Sequence, residues 1–176
     1  MKEALGGARE FSLFGHSMGS VVAFEACRRL EREFAASPRV LFASGRRAPS
    51  AELPEIRMHL LSDRELAGHL LEFGGTPPAL LEDPEFRQLI LSIVRNDYRA
   101  IETYECSTDA TVSTPIVALV GDRDPDASFA QIEAWGSHTS GSFVAKSFPG
   151  GHFFLDANAH PVAQLIRDHS SRALLN

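Results

Sequence analysis

Three short apolar runs constrain the fold of this chain more than any other feature: Glu10–Phe14 (EFSLF), Arg39–Ala43 (RVLFA) and Pro115–Val120 (PIVALV). Each is shorter than an ordinary helix, and each gives way to glycine or turn residues. None shows the long polar alternation of a strand with one wet face. Strands buried on both faces belong to parallel sheets, and parallel neighbours need a crossover, usually a helix, between them. The first two runs are joined by such a segment. From Met18 to about Phe34, Val22, Ala26 and Leu30 recur every four positions while Glu25, Arg28, Arg29 and Arg32 face elsewhere, and Ser37-Pro38 ends the pattern. A helix carrying Phe129, Ile132 and Trp135, a strand near Phe143–Phe148 and a terminal helix with Val162, Leu165 and Ile166 complete an α/β plan.

Residues 48–113 break the alternation and read as an all-helical insertion. Ser62 and Glu65 form a capping-box pattern ahead of Leu66, Leu70 and Leu71, in a helix that stops at Gly74-Gly75. Asp83 as N-cap and Pro84 at the first helical position open a longer helix to about Tyr104, with a stripe of Leu89, Ile90, Ile93, Val94, Tyr98 and Ile101. Leu60, Leu61, Leu66, Leu70, Phe73, Leu80 and Leu81 fit either an apolar pocket or plain helix packing. No linker divides the chain, so residues 1–176 read as one domain carrying this insertion.

Composition narrows the partners. Lys and Arg number 17 against 23 Asp and Glu, a formal charge of -6, and no basic block exceeds two residues, which argues against nucleic acid. No apolar run approaches the roughly 20 residues of a membrane span, and MKEALGGARE lacks a signal peptide's apolar stretch, so a cytoplasmic protein is expected. Cys27 and Cys106 have no CxxC or metal-ligand spacing; they are expected to be buried reduced thiols, with no metal or cofactor required.

The chemistry starts at Gly15-His16-Ser17-Met18-Gly19, a GxSxG set between the first strand and its helix. In that place the pentapeptide makes a sharp turn that lifts Ser17 Oγ above the sheet, with small residues on either side avoiding clashes. The backbone N–H of Met18, at the helix start, then faces negative charge developing on an attacked carbonyl. A serine nucleophile needs a histidine base, and the base needs an acid. Among seven histidines, His59, His69, His160 and His169 lie in or beside helices as solvated or capping groups, His138 lies in a polar loop entry, and His16 is expected to point away from the nucleophile. His152 follows a strand and two glycines, at the edge where catalytic groups of an open α/β sheet gather. The acid comes from Asp122-Arg123-Asp124-Pro125-Asp126. Asp124 is favoured because Asp122 is close to the strand end and Asp126 deep in the loop, both remaining rivals. Arg46 and Arg47 follow the second strand, either as a solvated pair or to meet an acidic partner or a phosphate.

The segments LFGHSMGSVVAFEACRRL, SGRRAP, FGGTPPALLEDPEFRQLILSIVRNDYRAIETYE, TPIVALVGDRDPDAS, WGSHTSGSF and FPGGHFFL together resemble the type II thioesterases, stand-alone α/β hydrolases of polyketide and nonribosomal peptide biosynthesis. The resemblance implies an α/β-hydrolase fold with a mostly parallel sheet flanked by helices, and Ser17 as nucleophile, Asp124 as acid and His152 as base. It implies that the 48–113 insertion is a mobile lid over an acyl pocket. The implied partner is an acyl or peptidyl carrier protein, from whose phosphopantetheine arm the enzyme hydrolyses stalled acyl groups. Members of the family carry further strands and a glycine-rich loop ahead of the nucleophile, the loop supplying a second oxyanion N–H. Ser17 stands near the start here, so the chain is expected to be the C-terminal portion of such a fold, lacking its N-terminal segment. A non-catalytic remnant that keeps a carrier-binding surface, and a carboxylesterase, are the alternative readings.

Overall fold

The structure, a computed structural model, describes residues 11–51, 55–107 and 109–172. The stretch MKEALGGARE, and with it the expected start of the first strand at Glu10, lies outside the described residues. Two compact units are present: residues up to Ala51 together with those from Ser107 onward, and the stretch Glu52–Cys106.

The first unit is built on a parallel sheet of β1 (Leu13–His16), β2 (Leu41–Ser44), β3 (Ile116–Gly121) and β4 (Phe143–Phe148), in that spatial order. Leu13 lies opposite Leu41, Leu41 opposite Ile116 and Ile116 opposite Phe143. Central β2 and β3 are buried along their whole length, as their unbroken apolar runs require. β1 differs from expectation. It pairs with β2 on one side only among the described residues, and Phe14 is 41% exposed. On one side of the sheet Val40, Phe42, Val117, Leu119 and Phe148 form a core with Phe154 of α6 (Phe154–Ala157) and with Val162 and Leu165 of α7 (Ala159–Arg172).

The crossover from β1 to β2 is α1 (Met18–Phe34), ending where Ala35 turns left-handed. Its buried face is Ser20, Val21, Ala23, Phe24 and Cys27, so the expected Val22–Ala26–Leu30 stripe is not the core face, and Val22 is 59% exposed. The helix is phased by its first turn. Ser20 Oγ donates toward the carbonyls of Gly15 (3.0 Å) and Ser44 (2.9 Å) and accepts from Ser44 N–H, which turns position 20 inward and position 22 outward. Further along, Glu31 accepts hydrogen bonds from the backbone N–H and hydroxyl groups of Ser113 and Thr114, tying α1 to the approach to β3. The expected helix around Trp135 is α5 (Phe129–Glu133) followed by a 3₁₀ turn, Ala134–His138, with Trp135 buried and edge-on to Phe24. Neither cysteine is in a disulfide; Cys27 is buried as expected, whereas Cys106 is half-buried.

The second unit is all-helical: a 3₁₀ turn (Met58–Leu60), α2 (Asp63–Phe73), α3 (Pro78–Glu82) and α4 (Pro84–Glu102). Ser62 and Glu65 form the expected capping box, and Asp83 Oδ1 accepts from the N–H groups of Glu85 and Phe86 at the head of α4. The short α3 leaves no periodic trace in the sequence. Its Leu81 packs with Leu66, Leu70 and Leu91 in a core flanked by Ile90, Val94 and Tyr98, while Leu60 is exposed. Leu89 and Ile93 of the expected stripe are outside this core, more than half exposed. α4 is phased by polar anchors as well as by leucines. Arg95 donates to the carbonyls of His59 (2.9 Å) and Leu61 (2.5 Å) and to Asp63. Buried Glu102 accepts from the N–H groups of Met58 and His59 and pairs with the His59 ring. Among the described residues no helix is long and apolar enough to cross a membrane.

Candidate active site

The strands are parallel, so their carboxyl ends share one edge, where His16, Ser44 and Leu119 lie in register and Gly121 faces Phe148. Ser17 follows β1 directly with φ 55° and ψ −125°, left-handed backbone that a residue with a Cβ rarely adopts. It heads α1 without capping it, since its hydroxyl makes no cap hydrogen bond. Its N–H donates to Ser44 O at 2.8 Å. Gly15 is required at this turn because a Cβ there would overlap the Gly19 carbonyl. Gly19 is not required in the same way, since a Cβ at that position meets nothing within 4 Å, and the expectation that both small residues avoid clashes holds for the first alone. Met18 opens α1, among the first-turn amides that have no intrahelical acceptor.

The other two residues come from neighbouring strand ends. Asp124 lies three residues beyond β3 and His152 four residues beyond β4. The two loops cross at Gly121, where a Cβ would overlap the carbonyls of Gly150 and Gly151. They are stitched by Asp122 N–H to Phe148 O (2.8 Å), Arg123 N–H to Gly150 O (2.9 Å) and Gly150 N–H to Asp122 Oδ1 (2.8 Å). Asp122 therefore holds the loop crossing. Asp126 donates its N–H to Asp124 Oδ1 at 2.9 Å. It is Asp124 whose carboxylate meets His152, with Nδ1 at 3.0 and 3.2 Å from its two oxygens and both side chains almost fully buried. An ionised carboxylate only accepts, so Nδ1 carries the proton and the lone pair of the neutral ring is on Nε2.

His16 does not lie apart from this pair. Its ring lies against that of His152, centroids 4.9 Å apart, and its Nδ1 is 2.9 Å from Ser44 Oγ. Burial, and next the neighbouring His152, push its pKa down to about 4, against smaller opposing effects of Asp124 and Asp156. Gly45, at φ +61°, leaves room for both rings, since a Cβ there would sit 2.7 Å from His16 Cε1. His16, Ser20, Ser44 and Gly45 carry no signal of this arrangement in the sequence; their only mark is position at the ends of β1 and β2 and in the first turn of α1. His138 is fully buried, bonded to Ser50 Oγ (2.7 Å) and Ala110 O (2.8 Å), which corrects its reading as a polar loop residue. Arg46 and Arg47 are buried as well and so are not a solvated pair. His59 bonds Glu102 and His69 bonds Tyr98 Oη, both inside the helical unit.

A parallel sheet with helices on it and a serine on a strained strand-to-helix turn define an α/β hydrolase. The chain belongs to the thioesterase domain family, whose profile matches residues 5–171. It is 41% identical over 158 residues to thioesterase PikA5 of Streptomyces venezuelae, covering 90% of this chain and 56% of that protein. It is 39% identical over 155 residues to phenyloxazoline synthase MbtB of Mycobacterium tuberculosis, covering 88% of this chain and 11% of that one. Among solved structures, the type II thioesterase BorB from the borrelidin cluster superposes with a TM-score of 0.80 at 36% identity, over 96% of this chain and 70% of that one. YbtT, a type II thioesterase from the yersiniabactin pathway, gives 0.84 at 34%, over 92% and 66%. The chain spans about half the length of the first curated relatives it matches, 56% and 44%.

Proposed function

We propose that this chain carries the catalytic machinery of a serine thioesterase acting on acyl groups held as thioesters on the phosphopantetheine arm of carrier proteins in the cytoplasm. The observation that carries the reading is the buried Asp124–His152 pair set at the strand ends beside the Ser17 turn. In this reading Ser17 Oγ attacks the thioester carbonyl carbon and its proton passes to His152 Nε2, while Asp124 holds Nδ1–H and stabilises the imidazolium. Met18 N–H donates to the oxyanion. The C–S bond breaks, the leaving sulfur takes the proton from Nε2, and an acyl ester remains on Ser17. Water then attacks that ester, gives a proton to Nε2 and releases the free acid as Ser17 recovers its own. A thiolate leaves readily, so the proton donated to it matters less than in an amidase.

The helical unit, which has a core of its own and falls between β2 and β3 in the sequence, is proposed as the lid. That YbtT is a thioesterase of a nonribosomal peptide and polyketide pathway supports the carrier-protein substrate.

The test is hydrolysis of acyl carrier protein loaded with a radiolabelled acyl group, beside labelling of Ser17 by a fluorophosphonate. Release of free acid that Ser17→Ala abolishes is expected. Labelling with hydrolysis of nitrophenyl esters but no release from the carrier would favour a carboxylesterase; neither activity would favour a non-catalytic role.

A further inference from the structure

The unexplained residue at the site is His16. It stands immediately before the nucleophile, yet its side chain is spent on the base. Its Nδ1 meets Ser44 Oγ at 2.9 Å, its ring lies 4.9 Å from the His152 ring at 48°, and Phe153 and Phe154 stand 6.3 and 6.1 Å from it. Its Nε2 is buried with no hydrogen-bond partner among the described residues. Buried polar atoms are nearly always satisfied, so such an atom calls for an explanation.

Resting on the reading of His152 as the base, we propose that His16 is a positioning residue, an imidazole braced by Ser44 that walls in the ring of His152. Asp124 holds the His152 ring at Nδ1, and the ring also meets Phe153 edge-on at 5.2 Å and the tilted ring of His16 at 4.9 Å. A ring packed this closely limits how far the imidazole can turn its Nε2 away from Ser17. Ser44 serves both sides of the reaction, since its carbonyl accepts the Ser17 N–H while its hydroxyl braces His16. Neutrality matters because His152 becomes positive when it takes the serine proton, and a second cation 4.9 Å away would oppose that transfer. The buried Nε2 disfavours the charged form: protonating His16 requires N–H at both nitrogens, and the one at Nε2 would have no acceptor among the described residues. The charged or titratable groups acting on His16 are His152, which opposes its protonation, and Asp124 and Asp156, which favour it less strongly than burial and His152 disfavour it.

The test uses the chain labelled with ¹⁵N-histidine and long-range ¹H–¹⁵N correlation between pH 4 and 8, His16 being assigned by the signal that disappears in His16→Phe. His16 is expected to stay neutral to below about pH 5 in a single tautomer, whereas titration near 6.5 would overturn the proposal. His16→Ala and Ser44→Ala are each expected to speed solvent exchange of the His152 Nδ1–H, with His16→Phe restoring much of the protection. Unchanged exchange in both folded variants would overturn it, and Ser44→Ala alone decides if His16→Ala does not fold. Fluorophosphonate labelling of Ser17 should slow about tenfold or more in His16→Ala and recover in His16→Phe, as expected for a misplaced base. If the unmutated chain does not label, the thioesterase reading fails, while the resonance data still decide what His16 does.

Discussion

Asp124 and His152 meet because two loops pass within backbone contact at Gly121, so the pair is sensitive both to its own chemistry and to that crossing. Asp124→Asn keeps the shape but offers an amide in place of an acceptor-only carboxylate, which disfavours the Nδ1–H tautomer. Turnover is expected to fall by about 10⁴-fold, against less than about tenfold for Asp126→Asn, as measured by kcat on an acyl thioester. Asp122→Asn should act through stability instead, since its Oδ1 accepts from Gly150 N–H. Stability should also carry a signature of His16. Its pKa in the folded chain, about 4, lies below the ordinary 6.5, so between those values the folded state binds fewer protons than the unfolded one. The unfolding free energy therefore falls as pH drops from about 6.5 to 4, and levels off below that. Urea midpoints across this window should decline less steeply in His16→Phe than in the unmutated chain; parallel curves would contradict the burial of that ring. The serine turn and the favoured aspartate were legible because both follow apolar runs at fixed short distances. His16, Ser44 and Gly45 were not, because their contact depends on the register of β1 against β2, which sequence spacing does not encode.

Among the elements, existence was easier to read than phase. The span of α1 and the capping of α2 and α4 follow local rules: a periodic run, Ser62 with Glu65, and Asp83 with Pro84. Which side of a helix is buried depends on distant partners. Ser20 turns α1 so that Val22 is outside, and Arg95 and Glu102 turn α4 so that Leu89 and Ile93 are outside. Counting apolar residues every third or fourth position therefore selects a stripe about one residue out of phase on α1, whereas on α4 Ile90, Val94, Tyr98 and Ile101 of the expected stripe are buried or packed against the core and Leu89 and Ile93 fall outside it. Paired substitutions measure the difference. Phe24→Ala on α1 should cost about 3–5 kcal/mol and Leu91→Ala on α4 about 2–5, whereas Val22→Ala and Ile93→Ala should each cost under about 1. Denaturant unfolding of the four variants checks this, and equal costs within either pair would mean that the helix is turned the other way. Cys27, on the buried face of α1, adds a chemical readout. Burial pushes its thiol up to about 11, so it should react with a thiol reagent at pH 8 far more slowly than Cys106.

Across the whole molecule, the helical unit and the sheet unit have separate cores, one of Leu66, Leu70, Leu81 and Leu91 and the other of Val40, Phe42, Val117, Leu119 and their partners. Damage inside one should stay there. The most exposed point of failure in the helical unit is Glu102, which accepts from two backbone N–H groups and from the His59 ring, so that one carboxylate holds the 3₁₀ turn against the end of α4. Glu102→Ala strands those donors, each unsatisfied one costing about 1–3 kcal/mol. Amide exchange is then expected to rise through Met58–Leu60 and α4 while β2 and β3 keep their protection, with unfolding broadening toward two transitions. Uniform loss of protection across the sheet would show that the two cores unfold as one. The same variant bears on the lid proposal from a direction that site mutations do not reach. Its loosened residues lie far in sequence from Ser17, Asp124 and His152, so fluorophosphonate labelling of Ser17 should keep its rate while KM for a long-chain acyl thioester rises. An unchanged KM in a variant whose helical unit is demonstrably loosened would argue that this unit does not govern access of the acyl chain.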